Sequence, residues 1–129
     1  MADNQTKRVL VIDDASLVRL YYRDALERAG FEVDEALNGL EALEKLMMAP
    51  PDLLIVDVNM PQMDGMTFLR ILRRQPPPIS STPALVTSTE SGVQDVDAAR
   101  AAGANFYLTK PVAQETLALY AAILCGMPA

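Results

Sequence analysis

The feature that most constrains how this chain can fold is the alternation of short apolar runs with longer segments of helical periodicity. The short runs are VLVI (9–12), FEVDEA (31–36), LLIV (53–56), ALV (84–86) and NFYL (105–108). Apolar character that is continuous, rather than alternating, is typical of strands covered on both faces, as in a parallel sheet. FEVDEA is the weakest of these runs and is expected near the sheet edge.

Between these runs lie five helical segments. The first three carry apolar stripes formed by Val18, Tyr22, Leu26 and Ala29, by Ala42, Leu43, Leu46 and Met47, and by Met66, Leu69 and Leu72 or Arg73. The fourth and fifth segments span about 93–102 and about 114–125, and Gly30 and Gly103 are the expected helix stops. Five alternating strand–helix units predict an α/β fold, a doubly wound, five-stranded parallel sheet with five helices and right-handed crossovers.

Size and charge limit the class of protein. A chain of 129 residues, half of them hydrophobic, fits one domain with a buried core. A net charge of -6 argues against binding to a phosphate backbone, so we expect no nucleic-acid partner. No apolar run is long enough to span a bilayer and the start, MADNQTKR, does not resemble a signal peptide, so we expect no membrane association.

Scarce residue types narrow the chemistry further. Cys125 is the single cysteine, which excludes an internal disulfide and indicates a reducing, cytoplasmic setting. The absence of histidine excludes serine–histidine triads and histidine metal sites. Neither G-x-G-x-x-G nor G-x-x-x-x-G-K-[ST] occurs, which disfavours a nucleotide-binding enzyme.

Polar side chains follow four of the expected strands at the points where the strands end. They are Asp13-Asp14 after the first, Asp57 after the third, Thr87-Ser88 after the fourth and Thr109-Lys110-Pro111 after the fifth. Ligands of open parallel sheets bind beyond the carboxyl ends of the strands. We therefore expect carboxylates, hydroxyls and an amine to converge on one sheet edge.

The three carboxylates have two interpretations. Asp14 could cap the first helix, although Ser16 could do the same. Alternatively, Asp13, Asp14 and Asp57 form a metal site, because crowded carboxylates repel one another unless a cation is present. Oxygen ligands that leave room for water and phosphate suit Mg²⁺. The doublet, with a third aspartate ending another strand, favours the metal site.

Thr87 and Lys110 indicate a function only as a pair. A single strand-end lysine is most often solvated, and threonine is an ordinary strand residue. Opposite an acidic metal site, the pair can supply a hydrogen-bond donor and a positive charge to phosphoryl oxygens. The Lys110-Pro111 step is either a cis bond that fixes the turn or a trans proline that starts the fifth helix.

In this order, the motifs resemble the receiver domain of two-component response regulators, in particular single-domain regulators of the chemotaxis type. The resemblance rests on DD at 13–14, D-x-x-M-P-x-M-D-G at 57–65, V-T-S at 86–88 and T-K-P at 109–111. It covers about residues 8–125 and implies one receiver domain over 1–129. It also implies the flavodoxin-like strand order 2-1-3-4-5.

The resemblance implies Mg²⁺-dependent phosphorylation of Asp57. Its carboxylate would attack phosphorus and form an acyl phosphate. Asp14, Asp57 and the backbone carbonyl of Asn59 would bind Mg²⁺ directly, and Asp13 would act mostly through a coordinated water.

The family also implies phosphate contacts and a switch. Lys110, the Thr87 hydroxyl and the Ser88 backbone N–H would contact the phosphoryl group. Thr87 would move toward it and Tyr107 would turn inward, which changes the face formed by the fourth helix, fifth strand and fifth helix.

The expected function is a bacterial signalling switch rather than an enzyme, apart from self-catalysed phosphoryl transfer and autodephosphorylation. The donor would be a sensor histidine kinase or a histidine phosphotransfer protein, and the output a downstream protein target. One alternative is a phosphohydrolase, but Asn59 stands where the D-x-D-x-[TV] motif needs a second carboxylate. Another is a phosphorylation-independent interaction module with a receiver fold.

The last helix carries a second apolar face, the outer stripe of Leu119, Tyr120 and Ile123. Leu117, Ala121 and Leu124 suffice for its core-facing side. The outer stripe is either half-buried at the helix margins or a docking surface for a partner or a second copy of the chain, including a homodimer through the fourth helix, fifth strand and fifth helix.

Overall fold

The computed structural model describes residues 6–127, in which strands and helices alternate. The strands are β1 (Arg8–Ile12), β2 (Glu32–Ala36), β3 (Leu53–Asp57), β4 (Ala84–Ser88) and β5 (Phe106–Thr109). The helices are α1 (Ser16–Arg28), α2 (Gly39–Met48), α3 (Gly65–Arg73), α4 (Val93–Ala102) and α5 (Gln114–Leu124), with a 3₁₀ turn at Ile79–Ser81. None of the helices within 6–127 has the length and apolar character that a membrane crossing requires.

The five strands form one parallel sheet in the order β2-β1-β3-β4-β5. The predicted fold class and strand order are therefore confirmed. Successive residues of a strand point to opposite faces, so the sheet contributes to two cores. Val9 and Val11 pack in the core with α1 and α5, whereas Leu10 and Ile12 pack in the core with α2, α3 and α4.

The central position of β3 explains its continuous apolar sequence. Helices cover both faces, and all five of its residues are buried, including Asp57 at its end. In β2, by contrast, Glu32 and Asp34 are exposed while Val33 and Ala36 are buried. This alternation fits the observed position of β2 at the sheet edge, as predicted.

Two stripe assignments were wrong. Ala29 is exposed and lies beyond α1, which ends at Arg28, and Ala25 is the buried residue instead. Met47 is 54% exposed because it lies one position, about 100° of helix rotation, from the fully buried Leu46. The predicted helix stops are confirmed, since Gly30 and Gly103 each follow the end of a helix and each has a positive φ.

One core residue was not predicted, and one strand begins later than predicted. Phe68 is fully buried on α3, four positions before Leu72 on the same face. This spacing was available in the sequence. The last strand begins at Phe106 rather than at Asn105, whose side chain instead accepts a hydrogen bond from the backbone N–H of Ala84.

Candidate functional site

The carboxyl ends of β1 and β3 bring three aspartates together. Ile12 pairs with Val56 in the parallel register, so Asp13 and Asp57 follow at the same level of the sheet. One carboxylate oxygen from each of Asp13, Asp14 and Asp57 lies within 4.8 Å of the others. Asp13 and Asp57 are buried, at 1% and 5% exposed, while Asp14 is exposed. The cluster is thus open to solvent on one side.

The structure does not support the capping interpretation of Asp14. The N-cap of α1 is Ala15, which provides no side-chain hydrogen bond, and Ser16 is the first helical residue. The Ala15 backbone N–H instead donates to Oδ1 of Asp13, over 2.9 Å. Neither Asp14 nor Ser16 therefore acts as the cap of this helix.

Lys110 joins the two buried carboxylates. Its Nζ lies 3.2 Å from Oδ2 of Asp13 and 3.1 Å from Oδ1 of Asp57. Burial alone lowers the pKa of the Lys110 amine, but the charges of Asp13 and Asp57, and the hydrogen bonds to them, outweigh it and raise that pKa. Lys110 therefore stays positively charged at the centre of the site.

Asp57 is held in an environment that disfavours its charge. Burial raises the pKa of its carboxyl, and the negative charge of Asp13 raises it further. The charge of Lys110 and the hydrogen bonds from Lys110 and the Asn59 backbone N–H oppose this rise only in part. An additional cation would favour the ionised form, which is the nucleophilic one.

Gly65 and Asp64 fix the loop after Asp57. A Cβ atom on Gly65 would lie 2.5 Å from the backbone carbonyl oxygen of Asp57, so only glycine fits this approach. The Gly65 N–H donates to the Val58 carbonyl over 3.0 Å, and the Asp64 side chain caps α3 through the Thr67 N–H. The D-x-x-M-P-x-M-D-G pattern is thus a strand-to-helix turn closed against the carboxyl end of β3.

Thr87 and Ser88 end β4 beside Asp57. Thr87 pairs with Asp57 in the sheet register and is fully buried. Its Oγ1 has no hydrogen-bond partner among the described residues. Ser88 is 1% exposed, its Oγ accepts a hydrogen bond from the Glu90 N–H, and its carbonyl accepts one from the Lys110 N–H.

Tyr107 lies on β5 and is half-buried against the core with α2, α3 and α4. Its hydroxyl donates to the Glu90 carbonyl over 2.6 Å, so the side chain lies along the loop between β4 and α4. The Lys110–Pro111 bond is cis. The trans interpretation, with a proline starting the fifth helix, was wrong, since α5 begins at Gln114.

Two residues near the site were not predicted. Arg19 donates from Nη1 to the Asp13 carbonyl over 2.6 Å and from Nε to Glu35 over 2.8 Å, which fastens the aspartate loop to β2. Tyr22 was assigned to the core stripe, where it is indeed buried, but it also lines a groove together with Lys110. The sequence does not mark Arg19 as a site residue, because an arginine on a helix is usually solvated. A tyrosine hydroxyl on a core-facing stripe, by contrast, indicates a polar group in or beside the core.

A groove of about 580 Å³ borders the site, between α1 and the segment after β5. It is lined by Leu17, Val18, Tyr21, Tyr22, Thr89, Lys110, Pro111 and Val112. Leu17 is 79% exposed and Leu20 is 60% exposed, so apolar surface adjoins Lys110 on the α1 side.

The outer stripe on α5 is only partly exposed. Leu119 and Ile123 are 47% and 54% exposed, one helical turn apart. Tyr120 is half-buried, and its ring stacks on Phe106 of β5 with 4.4 Å between the ring centroids. The stripe thus continues onto the exposed edge of the sheet through an aromatic pair.

Known proteins resemble this chain in sequence. A protein-glutamate methylesterase/protein-glutamine glutaminase of Archaeoglobus fulgidus is 44% identical over 106 residues, 81% of this chain and 30% of that protein. One from Rhodospirillum rubrum is 42% identical over 106 residues, 81% of this chain and 28% of that protein. The chain therefore spans less than a third of the length of these curated relatives.

Solved structures match over nearly the full length. The chemotaxis protein CheY4 of Vibrio cholerae superposes with a TM-score of 0.87 at 36% identity, covering 93% of this chain and 99% of that one. A putative response regulator from Chloroflexus aurantiacus gives 0.88 at 31%, covering 95% and 99%. Residues 9–122 match the family described as the response regulator receiver domain. The chain belongs to that family, the receiver domains of two-component signalling.

Proposed function

We propose that this receiver domain is a phosphorylation-dependent switch that accepts a phosphoryl group on Asp57 from a histidine kinase or a histidine phosphotransfer protein. The observation that carries the proposal is the placement of Lys110, within hydrogen-bonding distance of both Asp57 and Asp13. A positive charge beside a buried carboxylate can stabilise the phosphoryl oxygens during transfer to that carboxylate.

Asp57 is the nucleophile in this proposal. A carboxylate oxygen attacks phosphorus, the bond from phosphorus to the donor nitrogen breaks, and an acyl phosphate forms. Lys110 offsets the charge of the phosphoryl oxygens, and the turn at Gly65 keeps the carboxylate at the sheet edge. The protein contributes mainly by positioning the groups and by balancing their charges.

The donor set fits Mg²⁺, which receiver domains bind at an acidic pocket. Three carboxylates face a single lysine here, and the buried Asp57 is otherwise biased toward its neutral form. Asp14 and Asp57, with the carbonyl of Asn59, would hold the ion directly, and Asp13 would do so through water. When bound, the ion supplies positive charge that favours the ionised nucleophile and offsets the phosphoryl oxygens.

Thr87 and Tyr107 transmit the change. A phosphoryl oxygen offers the unpartnered Thr87 hydroxyl an acceptor, and the movement of Thr87 is followed by repacking of Tyr107, which lies on the adjacent strand β5 and pairs there with Val86. Output then passes through the face of α4, β5 and α5 to a partner protein or a second copy. A cytoplasmic setting and a bacterial source remain predictions of the same proposal.

The second candidate is an interaction module that does not use phosphate. The exposed Leu119 and Ile123 favour it, because a docking surface needs no acidic site. The burial of Asp13 and Asp57 argues against it, since burying two neighbouring carboxylates is unfavourable and a docking surface does not require them.

Amide NMR spectra with Mg²⁺ and beryllofluoride, an anion that mimics a carboxylate-bound phosphoryl group, distinguish the two. A switch predicts shifts at Thr87 and Tyr107 that extend along α4, β5 and α5, and none of these in Asp57→Asn. Shifts confined to the loops around Asp57 would contradict a switch that acts through that face.

A further inference from the structure

Two residues outside the acidic cluster hold the backbone that carries it. Arg19, on α1, donates from Nη1 to the Asp13 carbonyl over 2.6 Å. Its Nε donates to Oε1 of Glu35, on β2, over 2.8 Å. The Arg19 side chain is 15% exposed and that of Glu35 is 27% exposed, so water competes with these bonds less than it would at the surface. The planar guanidinium thus joins the Asp13 carbonyl to a partly buried carboxylate.

The bond to the Asp13 carbonyl also bears on Asp14, because that carbonyl and the Asp14 nitrogen belong to one planar peptide group. A fixed carbonyl direction therefore fixes where the Asp14 backbone begins. The N–H of Asp13 donates to the Ala36 carbonyl over 3.1 Å, so the Asp13 backbone is held at both of its polar groups. Asp14 itself is exposed. Since its side chain is not packed in place, the direction of its backbone sets where its oxygens can reach.

Glu35 is the anchor of this arrangement. Its Oε1 accepts from Arg19 and its Oε2 accepts from Arg23, also on α1. Its backbone carbonyl accepts a hydrogen bond from Nζ of Lys45, on α2. Glu35 is thus tied to helices on both faces of the sheet as well as to β2. A carboxylate fixed in this way restricts the rotamers of Arg19.

We propose that Arg19 and Glu35 are positioning residues for the metal site: through the Asp13 carbonyl they orient Asp14 for Mg²⁺, although neither contacts the ion. The inference rests on the proposed function, which assigns Asp14 to the ion. Groups that hydrogen-bond around metal ligands commonly set metal affinity by restricting the directions that a ligand can adopt. The charge of Arg19 acts in the opposite sense, because a positive charge near the site repels a cation.

Mg²⁺ titration followed by amide NMR separates orientation from charge. Arg19→Met keeps an unbranched stem and removes both the donors and the charge. If Arg19 orients Asp14, this variant should bind Mg²⁺ about tenfold more weakly than wild type. If Arg19 acted only through its charge, the variant would bind Mg²⁺ more tightly. Tighter or unchanged binding would therefore overturn the proposal.

Glu35→Ala tests whether the anchor acts through Arg19. It should also weaken Mg²⁺ binding, and the double variant should lose no more affinity than Arg19→Met alone, since both changes remove the same support of the Asp13 carbonyl. Independent, additive losses would contradict a shared route through that carbonyl and overturn the proposal.

Arg23→Met is the matched control for a general loss of stability. Arg23 donates to Glu35, to Glu27 and to the Val33 carbonyl, so its replacement should lower the urea midpoint. The Mg²⁺ affinity of this variant should nevertheless stay close to that of wild type. Equal weakening of Mg²⁺ binding by Arg23→Met and Arg19→Met would overturn the proposal, because the effect would then be one of stability.

Metal-free protein provides a readout that does not depend on the proposed function. The amide order parameters of Asp14 and Ala15 should fall in Arg19→Met and not in Arg23→Met. If wild type binds no Mg²⁺, the metal dependence in the proposed function fails and this inference fails with it. If wild type binds Mg²⁺ but the order parameters in Arg19→Met are unchanged, only the positioning role is overturned.

Discussion

At the scale of single residues, the balance between burial and charge at Asp57 decides what the site can do. The raised pKa of this carboxyl means that the folded protein holds the proton more tightly than the unfolded chain does. The free energy of unfolding therefore decreases as the pH rises from 3.8, the ordinary pKa of an aspartate, through the raised pKa of Asp57 in the folded protein. An ionised Asp57 should thus destabilise the metal-free protein at neutral pH.

Asp57→Asn should accordingly unfold at a higher urea concentration than wild type at pH 7 in the presence of a chelator. The gain should shrink as pH falls toward 3.8 and Asp57 becomes protonated. Added Mg²⁺ should stabilise wild type more than Asp57→Asn. A stability difference that does not change with pH would contradict this account of the site.

Sequence reasoning could predict the convergence of the aspartates but not the bonds within the site. Asp13 and Asp57 were expected at the same sheet edge because both follow parallel strands, and the observed pairing of β1 with β3 brings them together. The double contact of Lys110 and the hydrogen bond from Arg19 to the Asp13 carbonyl depend on side-chain rotamers. No spacing rule along the chain specifies those directions.

At the scale of elements, Arg73 connects the end of α3 to the segment before β4 and to the segment between α4 and β5. Its guanidinium donates to the carbonyls of Gly103, Ser80 and Thr82 and to the side chain of Asn105, over 2.6–3.0 Å. A Cβ atom on Gly103 would lie 2.6 Å from Cγ of Arg73, so a larger residue at the end of α4 would clash with the arginine side chain.

Arg73→Leu keeps the apolar stem and removes these bonds, which leaves several carbonyls without a donor. We expect a loss of about 3 kcal/mol in the free energy of unfolding, measured by urea denaturation. Arg74→Leu is the control, because the neighbouring Arg74 is exposed and should change stability by less than about 0.5 kcal/mol. Equal effects of the two substitutions would contradict the role given to Arg73.

Helix α5 offers a prediction about association. Leu119 and Ile123 are exposed, so replacing both by lysine should leave the unfolding midpoint nearly unchanged. If the outer stripe docks a partner or a second copy, the substitutions should abolish that association in sedimentation and partner-binding measurements. Leu17→Lys, on the exposed face of α1, is the control and should retain it. Unchanged association of the double variant would contradict the docking hypothesis.

The stripe errors also belong to the element scale. Spacing alone placed Ala29 and Met47 on core faces. Ala29 is not on a core face because α1 ends before it, and Met47 is not because the rotation of α2 buries Leu46 instead. A helix buries the residues that face the sheet, and that direction is fixed by packing rather than by local sequence. For Tyr120, the stack on Phe106 agrees with the half-buried interpretation of the outer stripe.

At the scale of the whole molecule, the fold places Asp13, Asp57, Thr87 and Lys110 at one edge of the sheet. Five parallel strands end on the same side of the sheet, and the strand order puts β3 at the centre with β1 and β4 beside it. The alternation of apolar runs was enough to predict the parallel, doubly wound class. The strand order followed only from the family resemblance, because alternation alone does not specify which strands are neighbours.

The most direct test of the central claim is to locate the phosphoryl group. The protein is incubated with Mg²⁺ and a small acyl phosphate donor, the acyl phosphate is trapped chemically, and the modified peptide is mapped by mass spectrometry. Asp52→Asn is the matched control, since Asp52 precedes β3 at its opposite end and accepts a hydrogen bond from the Arg8 backbone N–H. The account predicts one adduct, at Asp57, that persists in Asp52→Asn and disappears with a chelator or in Asp57→Asn. No adduct in wild type, or the same adduct in Asp57→Asn, would contradict it.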